Sequence, residues 1–514
     1  MGQGPAMKAL RRGDFDAGLK MRGIALSADE ADYVFTLASQ IHQGAAGFGK
    51  LFRAADPPGA DPAGLGIFEA GKRLREGSLT CLALTRACLT RIAERDHAFR
   101  AFTVVDEARA LETARRLDAD LRAGRDRGPL HGIPVGVKDL LDIAGLPTTA
   151  GSKGRADHIA AANAEVVERL VEGGAVPLGK LATYEWGTVG PAEDTLYPPA
   201  RNPWSLEHIT GGSSSGCAAA VAGGLLRTTI GSDTGGSLRG PASYCGVVGF
   251  KPTFGLAPTR GSLGMSPSMD HLGPMSATSA EAALTLDVMT GRTGEEAATR
   301  FLGQGIEGLR IAYARNWFVN DPQAAPAVIA AMDAAMSALS ELGAKIAEVE
   351  LPDYGAVETA GAAVLHADGF AAHASAMAER PEGYGRKTFQ SLAAGVCVTP
   401  AEYAQAKRAG AAFRAMLDEE IFANFDALAT VCALTPALPV SLFAKGSAWT
   451  PMRTIGFNLT GHPALAMPMG FCDGLPLGMQ IIGPHFGEAR ICQIGDAFER
   501  ATDHSALLAP PPPG

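Results

Sequence analysis

Residues 208–252 read HITGGSSSGCAAAVAGGLLRTTIGSDTGGSLRGPASYCGVVGFKP. Two Gly/Ser clusters, Gly211–Gly216 and Gly231–Gly240, flank a short apolar segment. Glycines let the backbone turn without a Cβ clash, and successive N–H groups in such turns converge on one point. The serines in the same turns add hydroxyls. Acyl transfer needs this combination: a nucleophilic hydroxyl, a proton acceptor and a cradle for an oxyanion. The stretch itself does not supply the base, which is expected upstream.

Working outward, Leu130–Leu141 (LHGIPVGVKDLL) is a short apolar run between turn signals and reads as a buried strand with Lys138 at its end. Helices are expected at 67–76, at 79–95 after Ser78, at 106–123 after Asp106, and at 164–172, where Gly173-Gly174 stops the last. Ala175–Leu178 reads as the next strand. Beyond Pro274, strands are expected at 309–314, 345–350, 428–434, 464–467 and 477–482, with helices at 325–342, from the Thr399-Pro400-Ala401-Glu402 cap to about 422, and at 487–501. Alternating strands and helices argue for an α/β core. Residues 1–26 read as a tail. Residues 27–65 read as a helical extension opened by Ser27-Ala-Asp-Glu30, followed by an Asp-Pro linker. Residues 66–508 read as one catalytic domain without repeats, and 509–514 as a Pro-rich tail.

With 514 residues, 46% apolar and 19% charged, the chain can bury a large core. A net charge of −9 and the lack of a basic patch argue against nucleic acid as partner. The eight cysteines are scattered without C-x-x-C, as expected of reduced core residues in the cytoplasm. No run approaches 18 apolar residues and the first 30 lack a secretory core, so neither a membrane span nor a signal peptide is expected.

Several motifs lead nowhere. Gly174–Lys180 spells G-x-x-x-x-G-K, but Leu181 replaces the Ser/Thr that would hold magnesium, so nucleotide binding is not expected. Gly212–Gly216 matches the G-x-S-x-G nucleophile elbow, which would make Ser214 the nucleophile of an α/β-hydrolase esterase; no downstream histidine sits in a telling context. The eleven histidines contain no H-E-x-x-H, and His366 and His373 are seven apart, so no metal site is expected.

The remaining constellation is Lys138, Ser213 and Ser237. The run GGSSSG…GSDTGGSLRGPASYCGVVGFKPT resembles the signature of the amidase signature family. The resemblance extends to HGIPVGVKD (131–139), ATYEWGTVG (182–190), RNPWSLEHITGGSSSG (201–216), SMDHLGPMS (268–276), FNLTGHPALAMPMG (457–470) and GLPLGMQIIGP (474–484). It covers about residues 67–507. Lys138 precedes Ser213 by 75 residues and Ser213 precedes Ser237 by 24, matching the family's Ser–cis-Ser–Lys order and spacing.

This resemblance implies a large mixed central β-sheet covered by helices on both faces. It implies Ser237 as nucleophile, Ser213 after a cis Gly212–Ser213 peptide as proton bridge, and Lys138 as base. A lysine can take a proton only when neutral, and an apolar strand such as IPVGV supplies the desolvation that lowers its pKa. Backbone N–H groups around Thr234, Gly235, Gly236 and Ser237 would hold the oxyanion, with no metal or organic cofactor. Arg239 is expected either to hold the loop or to bind an anionic substrate. Asp139 and Asp233 are expected to orient loops, and Cys217 to pack. Tyr184, Trp186, Gly240 and Met265 are expected to form an apolar pocket for a small-molecule amide. The activity expected is hydrolysis of apolar or aryl amides, with carbamates (urethanes) second. The alternative is the A-type component of a tRNA-dependent amidotransferase. A monomer or homodimer, away from membranes, is expected.

Overall fold

The structure, a computed structural model, describes residues 61–446, 448–506 and 509–510, together with Arg12, Ser27 and Phe35. The expected helix from Ser27, and most of both expected tails, lie outside the described residues. The chain divides into two compact units, 1–60 and 61–514. Residues 61–65, read above as linker, carry the 3-10 turn Pro62–Gly64 and bury Ala63 and Leu65.

Eleven strands form one mixed sheet: β1 (Phe102–Val105), β2 (Pro134–Lys138), β3 (Val176–Leu181), β4 (Thr228–Asp233), β5 (Val248–Lys251), β6 (His271–Ser276), β7 (Arg310–Tyr313), β8 (Lys345–Glu348), β9 (Ala427–Val431), β10 (Ala464–Cys472) and β11 (Leu475–Ile482). Their order is β1-β3-β2-β4-β6-β5-β10-β11-β9-β7-β8. β2 runs parallel to β3 and β4, whereas β4, β6, β5, β10 and β11 pair antiparallel in succession.

Successive strand residues point to opposite faces, so a sheet covered on both sides buries both sets. In β9, Ala427, Ala429 and Val431 pack with the helices Pro326–Glu341 and Glu488–Ala501. Leu428 packs on the other face with Tyr354, Val357 and Phe413 from the helices Tyr354–Glu379 and Pro400–Met416. Around β2 and β4 a third body of core residues includes Val135, Val137 and Ile230 with the fully buried helix Ser215–Ala222. Among the described residues, no helix is long and apolar enough to cross a membrane.

The near match to a phosphate loop dissolves in the fold. Gly179 and Lys180 lie inside β3, where a Cβ on Gly179 would fall 1.9 Å from the Val104 carbonyl oxygen of β1. The glycine serves strand-to-strand contact, and no helix N-terminus follows it.

Candidate active site

Lys138 is the last residue of β2, a five-residue strand buried at every position. Gly136 makes this possible, because a Cβ there would lie 2.6 Å from Leu181 Cδ1. The strand carries the Lys138 side chain to full burial. Its Nζ lies 2.7 Å from Ser213 Oγ, 2.9 Å from Ser214 Oγ and 2.9 Å from Ser232 Oγ. No carboxylate makes a hydrogen bond or ion pair with it among the described residues. Burial therefore dominates and lowers its pKa to about 7, with weaker opposing pulls from Cys217, Asp233 and Asp270. A neutral amine has two N–H bonds and one lone pair. Ser214 Oγ, which donates elsewhere, only accepts here, while the Ser213 and Ser232 hydroxyls can donate or accept, so the three match either protonation state.

The two Gly/Ser turns meet at this nitrogen. The Gly212–Ser213 peptide is cis. A Cβ on Gly212 would lie 2.2 Å from the Tyr184 ring, so the glycine lets the turn lie flat against that aromatic. Ser214 N–H donates to the Ser237 carbonyl at 3.2 Å and fastens one turn to the other. Ser214 Oγ donates to the Ser232 carbonyl at 3.1 Å and is fully buried away from the cleft described below. The nucleophile-elbow reading of Ser214 therefore has no substrate access.

An ion pair organises the second turn from beneath. Asp233, at the end of β4, accepts from the N–H groups of Gly236 (2.8 Å) and Leu238 (3.1 Å) and pairs with Arg239 at 3.0 Å. Burial alone would raise its pKa; the Arg239 charge and hydrogen bonds outweigh this and hold the carboxyl well below the usual range. Arg239 directs its five N–H bonds at Asp233, the Thr454 carbonyl, Gln480 and Asn458. Of its two expected roles, holding the loop is the one the geometry allows, since no donor remains for an anionic substrate.

The four expected oxyanion donors separate. The Gly236 N–H is taken by Asp233, so it does not belong to the donor set in this arrangement. The N–H groups of Thr234, Gly235 and Ser237 take no acceptor among the described residues. The Thr234 hydroxyl donates to Asp270 Oδ1 at 2.6 Å. Burial raises the Asp270 pKa to about 6, against the hydrogen bonds it accepts from Thr234, Ser266 and Met265. Asp139 accepts from Thr149 and pairs with Lys180 at 3.0 Å, so it braces the loop after β2. Cys217 is buried and donates to the Ile230 carbonyl at 3.5 Å.

Ser237 is half-buried in the wall of a cleft of about 880 Å³, measured to its open mouth. Gly235 and Gly236 share that wall, as do Tyr184, Ile209, Met265, Leu365, Leu392 and Met452. Of the four expected pocket residues, Tyr184 and Met265 line it and two do not. Trp186 instead packs edge-on to His373 at 4.6 Å, because its backbone adopts a left-handed conformation (φ 55°) that turns the ring away. Gly240 lies behind Met452, whose Sδ would be 2.4 Å from an added Cβ. The sequence reading missed Ser232, Leu365, His366 and Trp449. Ser232 had a signal: it is the outward-alternating hydroxyl between two strand residues of the same motif. The others come from a helix and a loop far along the chain, with no local mark.

Known proteins resemble the chain over most of its length. The amidase family model matches residues 83–492. The A subunit of the glutamyl-tRNA(Gln) amidotransferase of Chloroflexus aggregans is 37% identical over 473 residues, covering 85% of this chain and 96% of that protein. A solved structure described as a vestigial protein complex revealing the evolutionary origins of an s-triazine catabolic enzyme superposes with a TM-score of 0.78 at 31% identity, covering 85% of this chain and 98% of that one. The peptide amidase of Stenotrophomonas maltophilia does so with a TM-score of 0.74 at 29% identity, covering 90% and 99%. The motifs, the fold and these likenesses agree, and the chain belongs to the amidase signature family.

Proposed function

We propose that the protein is a serine amidohydrolase for uncharged apolar or aryl amides, with carbamates (urethanes) as a second substrate class. The observation that carries this reading is the cleft wall, in which no Asp, Glu, Lys or Arg occurs among the described residues. A charged substrate would lose its hydration there without gaining a partner, at a cost of several kcal/mol per ion.

Ser237 Oγ attacks the carbonyl carbon. Its proton passes to Ser213, and the Ser213 proton passes to neutral Lys138. The carbonyl π pair moves onto oxygen, where the N–H groups of Thr234, Gly235 and Ser237 stabilise it; each such donor is worth ~3–4 kcal/mol. Collapse of the intermediate breaks the C–N bond, and the relay returns the proton to the departing amine. Water then attacks the acyl-enzyme with the same relay as base, releasing the acid and restoring Ser237. The nearly neutral setting of Lys138, three hydroxyls and no carboxylate, supports its role as base.

A second reading has its own support. The relatives named as A subunits of glutamyl-tRNA(Gln) amidotransferases favour the A-type subunit of a tRNA-dependent amidotransferase, working with partner subunits. Purified protein assayed on aryl nitroanilides, aryl carbamates and glutamine separates the two. Turnover of the aryl substrates with glutamine inert is expected. Faster ammonia release from glutamine than from any aryl amide would overturn the first reading.

A further inference from the structure

Outside the cleft, three side chains from distant segments converge. His462 lies in the turn before β10, His485 lies just beyond β11, and Asp418 lies in the π-helical turn Leu417–Ile421. One ligand atom from each lies within 4.8 Å of the other two. The imidazole rings are 4.2 Å apart, and His462 Nε2 is 3.0 Å from Asp418 Oδ1. His485 Nε2 is buried yet has no hydrogen-bond partner, an arrangement that native structures rarely leave uncompensated.

Each neutral imidazole carries one nitrogen lone pair able to bind a metal ion. His462 Nδ1–H can donate a hydrogen bond to the Thr460 hydroxyl at 3.0 Å, which directs the Nε2 lone pair towards an ion held beside Asp418, the usual outer support of a ligating imidazole. Two cationic groups face the cluster. Arg414 Nε is 3.6 Å from Asp418 Oδ2, on the far carboxylate oxygen. Lys251 Nζ donates to the His462 carbonyl at 2.5 Å, on the backbone side of that residue.

We propose that Asp418, His462 and His485 form a site for one divalent first-row transition metal of the zinc class, with a fourth position open to water beside the exposed Asp418. Two imidazoles and one carboxylate are the donor set such ions prefer. None of the three lines the cleft, so the ion takes no part in acyl transfer. It clips the end of the helix Pro400–Met416 to the sheet. The same His462 carbonyl leads through Lys251 to His271 at 3.2 Å, and His271 pairs in register with Asp233 beneath the Ser237 loop.

Full-length protein stripped with chelator and titrated with Co²⁺ tests this. Uptake of one equivalent with the visible bands of a tetrahedral complex, displaced by Zn²⁺, is expected, together with a rise in unfolding temperature on Zn²⁺ addition. His485→Ala should abolish the bands, and Asp418→Asn should weaken binding at least about tenfold. Absence of bound Co²⁺, or equal uptake by wild type and His485→Ala, would overturn the proposal. His485 is partly exposed and Asp418 exposed, so these variants keep the test valid if His462→Ala fails to fold.

Discussion

Lys138 ends β2, and Lys180 lies in the parallel neighbour β3, one register step away. Both side chains are fully buried. Lys180 meets Asp139 at 3.0 Å, with Thr148 Oγ1 and the Pro147 carbonyl completing its shell. Lys138 meets only hydroxyls. Burial lowers both pKa values, but at Lys180 the carboxylate opposes that shift through both charge and hydrogen bond. Equal burial thus yields two kinds of lysine. One is paired with a carboxylate; the other meets hydroxyls alone and is poised to exchange a proton near neutrality. The partner group, not the depth, makes the difference.

The largest expected effect is on catalysis. Lys138→Ala should lower kcat about 10²–10⁴-fold, and Lys138→Arg should fare no better, because a guanidinium does not deprotonate. Steady-state kinetics on an aryl amide measures both. The contrast breaks if Lys180→Met costs more kcat than Lys138→Ala among folded variants.

For Lys180 the expected effect is on stability. Lys180→Met strands the buried Asp139 charge and should cost about 3–5 kcal/mol in denaturant unfolding. The double variant Lys180→Met/Asp139→Leu should recover most of this. An unchanged midpoint for the single variant would mean that the pair does not brace the loop.

The pH dependence sharpens the comparison further. With a folded pKa of about 7 for Lys138, activity should rise with pH through 7 and level off above it, being about tenfold lower at pH 6. Unfolded lysine titrates near ~10.4, so between these values the unfolded chain binds the extra proton. Lys138 therefore makes stability rise with pH from 7 to about 10.4, with no slope below 7. Lys138→Met should remove that component. A wild type and variant with parallel stability profiles would place the Lys138 pKa at its ordinary value.

The smallest effect belongs to Ser232→Ala. It removes one of three hydroxyls from Lys138, worth ~1 kcal/mol or about fivefold in rate. It should also move the activity midpoint to lower pH, since the charged amine loses an acceptor. An unmoved midpoint would show that Ser213 and Ser214 suffice.

Legibility followed local contrast. β2 was plain because an apolar run ended in a lysine between turns. β4 and β6 were hidden by glycines: a Cβ on Gly273 would lie 2.0 Å from the Phe250 carbonyl, so close sheet packing demanded the residue type that erases a strand pattern. The helix Tyr354–Glu379, which brings Leu365 and His366 to the cleft, was also invisible. Its alanines and three glycines give no polar and apolar faces to distinguish.

What the chain indicates by itself is the proposed chemistry-bearing set: Lys138, Ser213 and Ser237 lie in short Gly- and Ser-rich or apolar motifs that resemble the family's. Tertiary structure decided the rest. Which lysine meets hydroxyls and which meets a carboxylate, which N–H groups stay free, and which side chains wall the cleft depend on contacts between segments tens to hundreds of residues apart. Side-chain desolvation and ion pairing act through space, and a linear pattern records neither.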